Sequence, residues 1–285
     1  MIIGDNREKV IENIKKNVLN NDFHAKAEIG DPKISNADSL KLVNDFWKAK
    51  QKNTDKVTSF FTKQFFKQVA QLLGKNDKID NPQDLRKIPR AFVTSNHFNQ
   101  LDSLPIARLA SKNHKNLYFV IEDTNLLLPS WIGFLMKHLP TIPLSRSIRY
   151  LGRDFPKHLN EVLRKNNWIL IYPEQEMWFN YRKPRPMQKG TYYYAAKLNV
   201  PIISCFTEIR DTKSIEKSDP NFFKTQTILH VLPTIYPNPK LSVEQNAKLM
   251  CQKDYEQKIA AYEKAYGKKL DYNFSYTDIA GYRKK

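Results

Sequence analysis

From residue 91 onward the chain alternates short apolar runs with longer stretches of helical periodicity. That alternation restricts the fold more than any other feature of the sequence. Ala91–Ser95, Leu117–Glu122, Thr141–Leu144, Trp168–Tyr172, Val200–Ile209 and Thr227–Leu232 read as strands. Ser103–Lys112, Phe155–Asn166, Gly190–Leu198 and Ser242–Tyr266 read as helices. Strands that recur with a helix between them pair in parallel, with the helices laid on the sheet faces. The predicted class is therefore α/β, a mixed, largely parallel sheet flanked by helices. Loops leaving the carboxyl ends of such strands share one edge of the sheet, and chemistry is expected there.

The first 89 residues follow a different pattern. Leu40, Val43, Phe46 and Trp47 recur at helical spacing, and a second stripe runs through Val57, Phe60, Phe61, Phe65, Val69, Leu72 and Leu73. The charged stretch from Lys50 to Lys56 separates them. The spacing predicts an N-terminal helical hairpin whose stripes face a core. Lysines alternate with the aromatics, which leaves a membrane-surface role open. The chain thus divides into an N-terminal helical region, residues 1–89, and an α/β domain, residues 90–285.

Composition narrows the partners. The formal net charge is +18, spread along the chain and not gathered into a tail. Such an excess favours anionic partners: lipid headgroups, an acidic protein or nucleic acid. The dominance of Lys over Arg and the abundance of Asn would produce the same skew with no partner at all. No run approaches the roughly 18 uncharged apolar residues a membrane span needs. The longest apolar stretch, Leu126 to Met136, is either a buried helix or one wall of an apolar groove. Asp5, Glu8 and Glu12 interrupt any secretory leader. Two cysteines, Cys205 and Cys251, form no disulfide framework and no zinc spacing. Gly-rich phosphate loops and metal-ligand clusters are not found, so neither a metal nor a bound nucleotide cofactor is expected.

The chemistry-bearing constellation follows the first strand of the α/β part. His97 lies in the loop after Ala91–Ser95, and Asp102 stands where the next helix begins. A loop folding back onto that helix start brings the two within hydrogen-bond reach. Asp102 then fixes the imidazole tautomer, and the other ring nitrogen is free to take a proton. A His–Asp pair of this kind is a complete general base for a hydroxyl. Asp102 also has an ordinary role open to it, as a helix N-cap.

The order of blocks around this pair resembles the glycerolipid acyltransferases of the lysophosphatidate and glycerol-3-phosphate acyltransferase type. Asn96-His97 with Asp102 is similar to the family's first block. Thr141 to Arg146 is similar to the second, an apolar stretch ending in Arg. Ile169 to Glu174 is similar to the Phe-Pro-Glu-Gly-Thr-Arg block, and Lys189-Gly190 with Val200 to Ile203 to the last. The resemblance spans about residues 90–210. It implies that His97 is the general base and that Asp102 orients it. It also implies that Arg146 binds an anionic group of the acceptor and that Glu174 shapes the acceptor site. The donor is an acyl thioester, on coenzyme A or acyl carrier protein, and the acceptor is a lipid hydroxyl.

Beyond Glu174 the chain departs from that pattern. Gln175, Glu176, Met177 and Trp178 stand where the family carries Gly, a small hydroxyl residue and Arg. Downstream Arg182, Lys183 and Arg185 are candidates to replace the missing Arg. Alternatively Gln175, Glu176 and Trp178 read a glycolipid, since sugars favour amides, carboxylates and aromatic faces. The expected enzyme is peripheral, on the cytoplasmic face of an anionic membrane, with acyl carrier protein a possible partner. Two rival classes remain: a basic nucleic-acid-binding protein, and a thioesterase-like hydrolase using Ser95 or Ser103 with His97.

Overall fold

A computed structural model gives the fold, describing residues 6–30, 32, 34–73 and 77–283. Its centre is a seven-stranded sheet. The strands are β1 (Lys78–Asp80), β2 (Ala91–Thr94), β3 (Leu117–Glu122), β4 (Thr141–Leu144), β5 (Trp168–Ile171), β6 (Ile202–Ile215) and β7 (Phe223–Val231). Their order is β1-β7-β6-β2-β5-β3-β4. β6 and β7 form an antiparallel hairpin, and every other neighbouring pair is parallel. The mixed, largely parallel sheet read from the sequence is the one observed.

Among the described residues eight α-helices accompany it: α1 (Arg7–Leu19), α2 (Asn36–Lys50), α3 (Asn53–Leu73), α4 (Ser103–Lys112), α5 (Ser130–His138), α6 (Phe155–Leu163), α7 (Gly190–Lys197) and α8 (Val243–Tyr266). Successive strand residues point to opposite faces, so each strand feeds two cores. Phe92, Ile142, Ile169 and Ile202 pack with Val43 of α2, Leu159 of α6, Tyr192 of α7 and Met250 of α8. Val93, Trp168, Leu170 and Ile203 pack on the other face against Ile106 and Leu109 of α4. Burial on both faces explains why these strands read as continuous apolar runs and not as alternating ones.

The N-terminal region differs from the expected hairpin in three ways. α1 packs away from α2 and α3, with Val10, Ile11 and Ile14 against Trp178, Phe179 and Ile279. β1 lies before the boundary at residue 89 and yet pairs with β7. The third difference is the orientation of α3. Val57, Phe60, Phe61, Phe65 and Leu72 of the second stripe are exposed, at 58% to 74%. The residues α3 turns inward include Thr62 and Ala70, which are buried, and Phe66, whose ring meets Phe119 edge-on at 5.6 Å. Small side chains let α3 sit close on α4 and α5. Periodicity identifies a stripe but not the side on which its partner lies.

α8 carries a polar seam into the core. Asp254 and Lys258, one turn apart, are both 0% exposed and pair with each other. Thr94 Oγ1 donates to Asp254 Oδ2 at 2.7 Å, and the Tyr192 hydroxyl donates to the same oxygen. Lys258 Nζ donates to Thr94 Oγ1 at 3.0 Å and lies 3.4 Å from Ser204 Oγ. The seam therefore ties α8 to α7, β2 and β6 just before β2 ends. A buried ion pair stabilises little relative to a well-packed apolar pair, but removing one partner strands the other charge. Lys258→Met is expected to destabilise by about 3–5 kcal/mol in urea unfolding. The double variant Asp254→Asn with Lys258→Met should recover much of that loss.

Candidate active site

The site starts where β2 stops pairing. β2 runs beside β6 up to Thr94. Two residues later the Asn96 side chain takes over the ladder: its Nδ2 donates to Thr207 O at 3.0 Å, and its Oδ1 accepts from Thr207 N at 2.8 Å. The backbone is then free to turn outward while its exit stays anchored to β6. His97 is the next residue. Its carbonyl accepts from Trp178 N at 3.2 Å, and the Phe98 carbonyl accepts from Asn180 N at 2.8 Å. Each side of the turn is therefore held.

Asp102 folds back across this turn. Its Oδ2 lies 2.7 Å from His97 Nδ1 and accepts from Phe98 N at 2.9 Å and Asn99 N at 3.3 Å. Its Oδ1 accepts from the Tyr172 hydroxyl at 2.5 Å. Asp102 makes no side-chain cap on α4, so its helix-start position serves the loop and not the helix. The carboxylate is buried, with its lone pairs occupied by donors, while the imidazole is 21% exposed. With Nδ1 bound to the carboxylate, Nε2 is left to accept a proton. The sequence expectation that these two side chains meet is met by the geometry.

Glu174, after β5, is a packing and anchoring group. Its Oε2 accepts from His97 N at 3.2 Å, and its Oε1 accepts from Arg185 N at 2.9 Å. The Arg185 guanidinium pairs with Oε2 at 3.0 Å and also donates to Phe23 O and to the Glu176 carbonyl. Its Cζ lies 4.4 Å from the centroid of the Trp178 ring. Arg185 is 1% exposed, so it is a structural cation spent on the loop and not a ligand for an acceptor.

The other downstream candidates are likewise engaged. Lys183 is 2% exposed, pairs with Asp278 at 2.9 Å and donates to Asn273 O. Arg182 pairs with Asp211 and donates to Thr277 O. The expectation that Lys183 meets an acceptor is therefore corrected: its charge is neutralised where no lipid can reach it. Trp178 is fully buried, with Nε1 donating to Ala25 O at 2.9 Å, so it cannot present a face to a sugar. Ser95 is 1% exposed and hydrogen-bonded to Asn96, which removes it as a nucleophile. Gln175 is exposed on the same turn as Glu174.

Arg146 leaves β4 on the shared edge of the parallel strands. It is 67% exposed and pairs with Glu122, at the end of β3, at 2.7 Å. Lys26 holds the other Glu122 oxygen at 2.8 Å. The strand order β2-β5-β3-β4 thus lines up His97, Tyr172, Glu174, Glu122 and Arg146 at the carboxyl ends of neighbouring strands. Sequence reasoning missed Tyr172 and Glu122. Tyr172 was readable as a position: it stands where the resembled block carries Phe, and only its hydroxyl is unaccounted for there.

Comparison with known proteins is consistent with this geometry. Residues 77–208 match the family model described as Acyltransferase. An uncharacterized acyltransferase of Schizosaccharomyces pombe is 28% identical over 144 residues, 50% of this chain and 50% of that protein. The chain therefore spans about half the length of the curated relative it matches. The crystal structure of a 1-acyl-sn-glycerophosphate acyltransferase of Thermotoga maritima has a TM-score of 0.52 at 16% identity, covering 82% of this chain and 99% of that one. At that identity the likeness is one of fold.

The turn after Glu174 carries one local strain. Gln175 has φ 68°, a left-handed conformation that a β-carbon opposes by roughly 1–2 kcal/mol and glycine adopts freely. Gly is the residue the resembled block has at this place. Gln175→Gly is expected to raise stability by about 0.5–1 kcal/mol, read from the midpoint of thermal or urea unfolding.

Proposed function

We propose that this chain, whose residues 77–208 match the Acyltransferase family model, transfers a fatty acyl group from an acyl thioester to a hydroxyl of a lipid acceptor. The observation that carries the reading is the buried Asp102 carboxylate bound to His97 Nδ1 at the outlet of β2. In the step it supports, the acceptor O–H gives its proton to His97 Nε2 as the oxygen attacks the thioester carbonyl. An ester C–O bond forms, the C–S bond breaks, and the departing thiolate takes the proton from the imidazolium. Asp102 stabilises that cation while it lasts. The thioester is already activated, so the reaction needs no enzyme-bound acyl intermediate and no metal.

The donor is coenzyme A or acyl carrier protein carrying the acyl chain. The acceptor is lysophosphatidate-like or a glycolipid. Arg146 supports the first: among the basic candidates it alone is largely exposed on the site edge, and a guanidinium suits a phosphate. Glu122 would have to give it up, and an exposed ion pair of this kind costs only about 0–1 kcal/mol to break. The glycolipid reading keeps Gln175 but loses Trp178 as a platform.

Attachment to an anionic membrane face from the cytoplasmic side completes the proposal. No helix among the described residues is long and apolar enough to cross a membrane. α3 instead presents Val57, Phe60, Phe61 and Phe65 outward, and the adjoining α5 adds Trp131 at 52% and Phe134 at 49% exposed. Aromatics on touching helices, backed by a +18 chain, match the requirements of an interfacial anchor. Basic residues near such a surface add about 1 kcal/mol each.

Two outcomes are expected. His97→Ala should lower acyl transfer about a thousandfold or more, measured with lysophosphatidate and acyl-coenzyme A or acyl carrier protein. Transfer at the parental rate in the folded variant would exclude the mechanism. In liposome flotation, Phe61→Asp with Phe65→Asp should abolish binding to vesicles containing anionic lipid while leaving the unfolding midpoint within about 0.5 kcal/mol of the parent. Undiminished flotation would place the attachment elsewhere.

A further inference from the structure

We infer that Tyr172 is a positioning residue of the general base, setting both the ring plane of His97 and the pH at which it works. The inference rests on the acyl-transfer reading for its activity measurements but not for its spectroscopic one. Two independent contacts carry it. The Tyr172 ring lies flat on the His97 imidazole, with centroids 4.0 Å apart and planes 11° from parallel. The hydroxyl of the same residue donates to Asp102 Oδ1 at 2.5 Å. One side chain thus touches both members of the pair, on surfaces that neither uses for the other.

Each contact has a separate consequence. The stacked ring restrains the imidazole from rotating about its Cβ–Cγ bond, so Nε2 keeps one direction. It also places a π-face against the imidazolium that forms when the acceptor proton arrives. The hydroxyl bond fixes the rotation of the carboxylate, leaving Oδ2 to His97 and the two backbone donors. It also draws charge away from the carboxylate, which makes Asp102 a weaker partner for the imidazolium. Burial and the adjacent carboxylate push the Tyr172 hydroxyl well above its ordinary value, so it remains a donor across the working range.

The surrounding ionisable groups do not compete for this role. Glu174 faces His97 through the backbone N–H and is locked to Arg185. Cys205, on β6, acts on Tyr172 and is itself pushed up to about 12 by burial.

The sign of the effect follows. Tyr172→Phe keeps the stacked ring and removes the donor. Asp102 then holds the imidazolium more strongly, and a base that must be neutral to act becomes available only at higher pH. The acid limb of kcat against pH should move up by about half a pH unit or more, with KM for donor and acceptor unchanged. Tyr172→Leu removes both contacts and should lower kcat at least tenfold below Tyr172→Phe at the pH optimum. The His97 ring protons, followed by NMR through the same range, should titrate at higher pH in Tyr172→Phe than in the parent. A role in packing alone predicts lower stability with an unmoved pH profile and an unmoved ring titration, and that result would overturn the inference. Equal kcat in Tyr172→Leu and Tyr172→Phe would overturn the stacking half. If the parent transfers no acyl group, the ring titration still decides the hydroxyl half, so failure of the activity and failure of this inference are read separately.

Discussion

Parallel pairing of β2, β5, β3 and β4 is the constraint on which the site rests. Strands that run the same way must end on the same edge, and their register fixes how far each one reaches. Thr94 faces Ile171 across one pair, so the residues that follow them, the His97 turn and Tyr172-Pro173-Glu174, emerge side by side. The single β2–β5 ladder of hydrogen bonds therefore does what no local sequence could. It brings an imidazole from one βα loop under the phenol of another, 75 residues later in the chain. The antiparallel β6–β7 hairpin lies on the other side of β2 and contributes by holding Asn96.

From that edge inward, the polar groups form a chain of supports. Asp102 orders the His97 turn through two backbone N–H bonds as well as the ring. Glu174 adds a third bond to the turn, and Arg185 holds Glu174 in place. Arg185 in turn is secured by carbonyls of Phe23 and Glu176. The cation that follows the third block in this chain has thus become scaffolding. Its charge is spent on a buried carboxylate, whereas Arg146 on the rim stays largely exposed.

Strand and helix positions in the α/β part were legible because each element has a period or a run length of its own. β3, β4 and α4 have the limits read from the sequence, and most other elements shift by a few residues at an end. His97 and Asp102 were legible for a similar reason: their separation is short, so one turn suffices to join them. What could not be read was any contact whose partner lies far along the chain. Lys183 and Arg182 have the composition of a phosphate clamp, but Asp278 and Asp211 reach them from the C-terminal half. α3 shows a clear apolar stripe, yet only the positions of α4 and α5 reveal that the stripe faces outward. β1 was too short to register without β7 beside it.

The loop that carries Glu174 is braced by both distant ends of the described chain. Ala25 and Phe23, just after α1, hold Trp178 and Arg185. Asp278 and Ala280 pair along the backbone with Arg182 and Asn180. Asn180 in turn supports Phe98 beside the imidazole. The family-matched core at residues 77–208 is consequently not a detachable module. Excised by itself, it would bare Trp178, Tyr181 and Arg185 to water and leave the His97 turn without its outer wall.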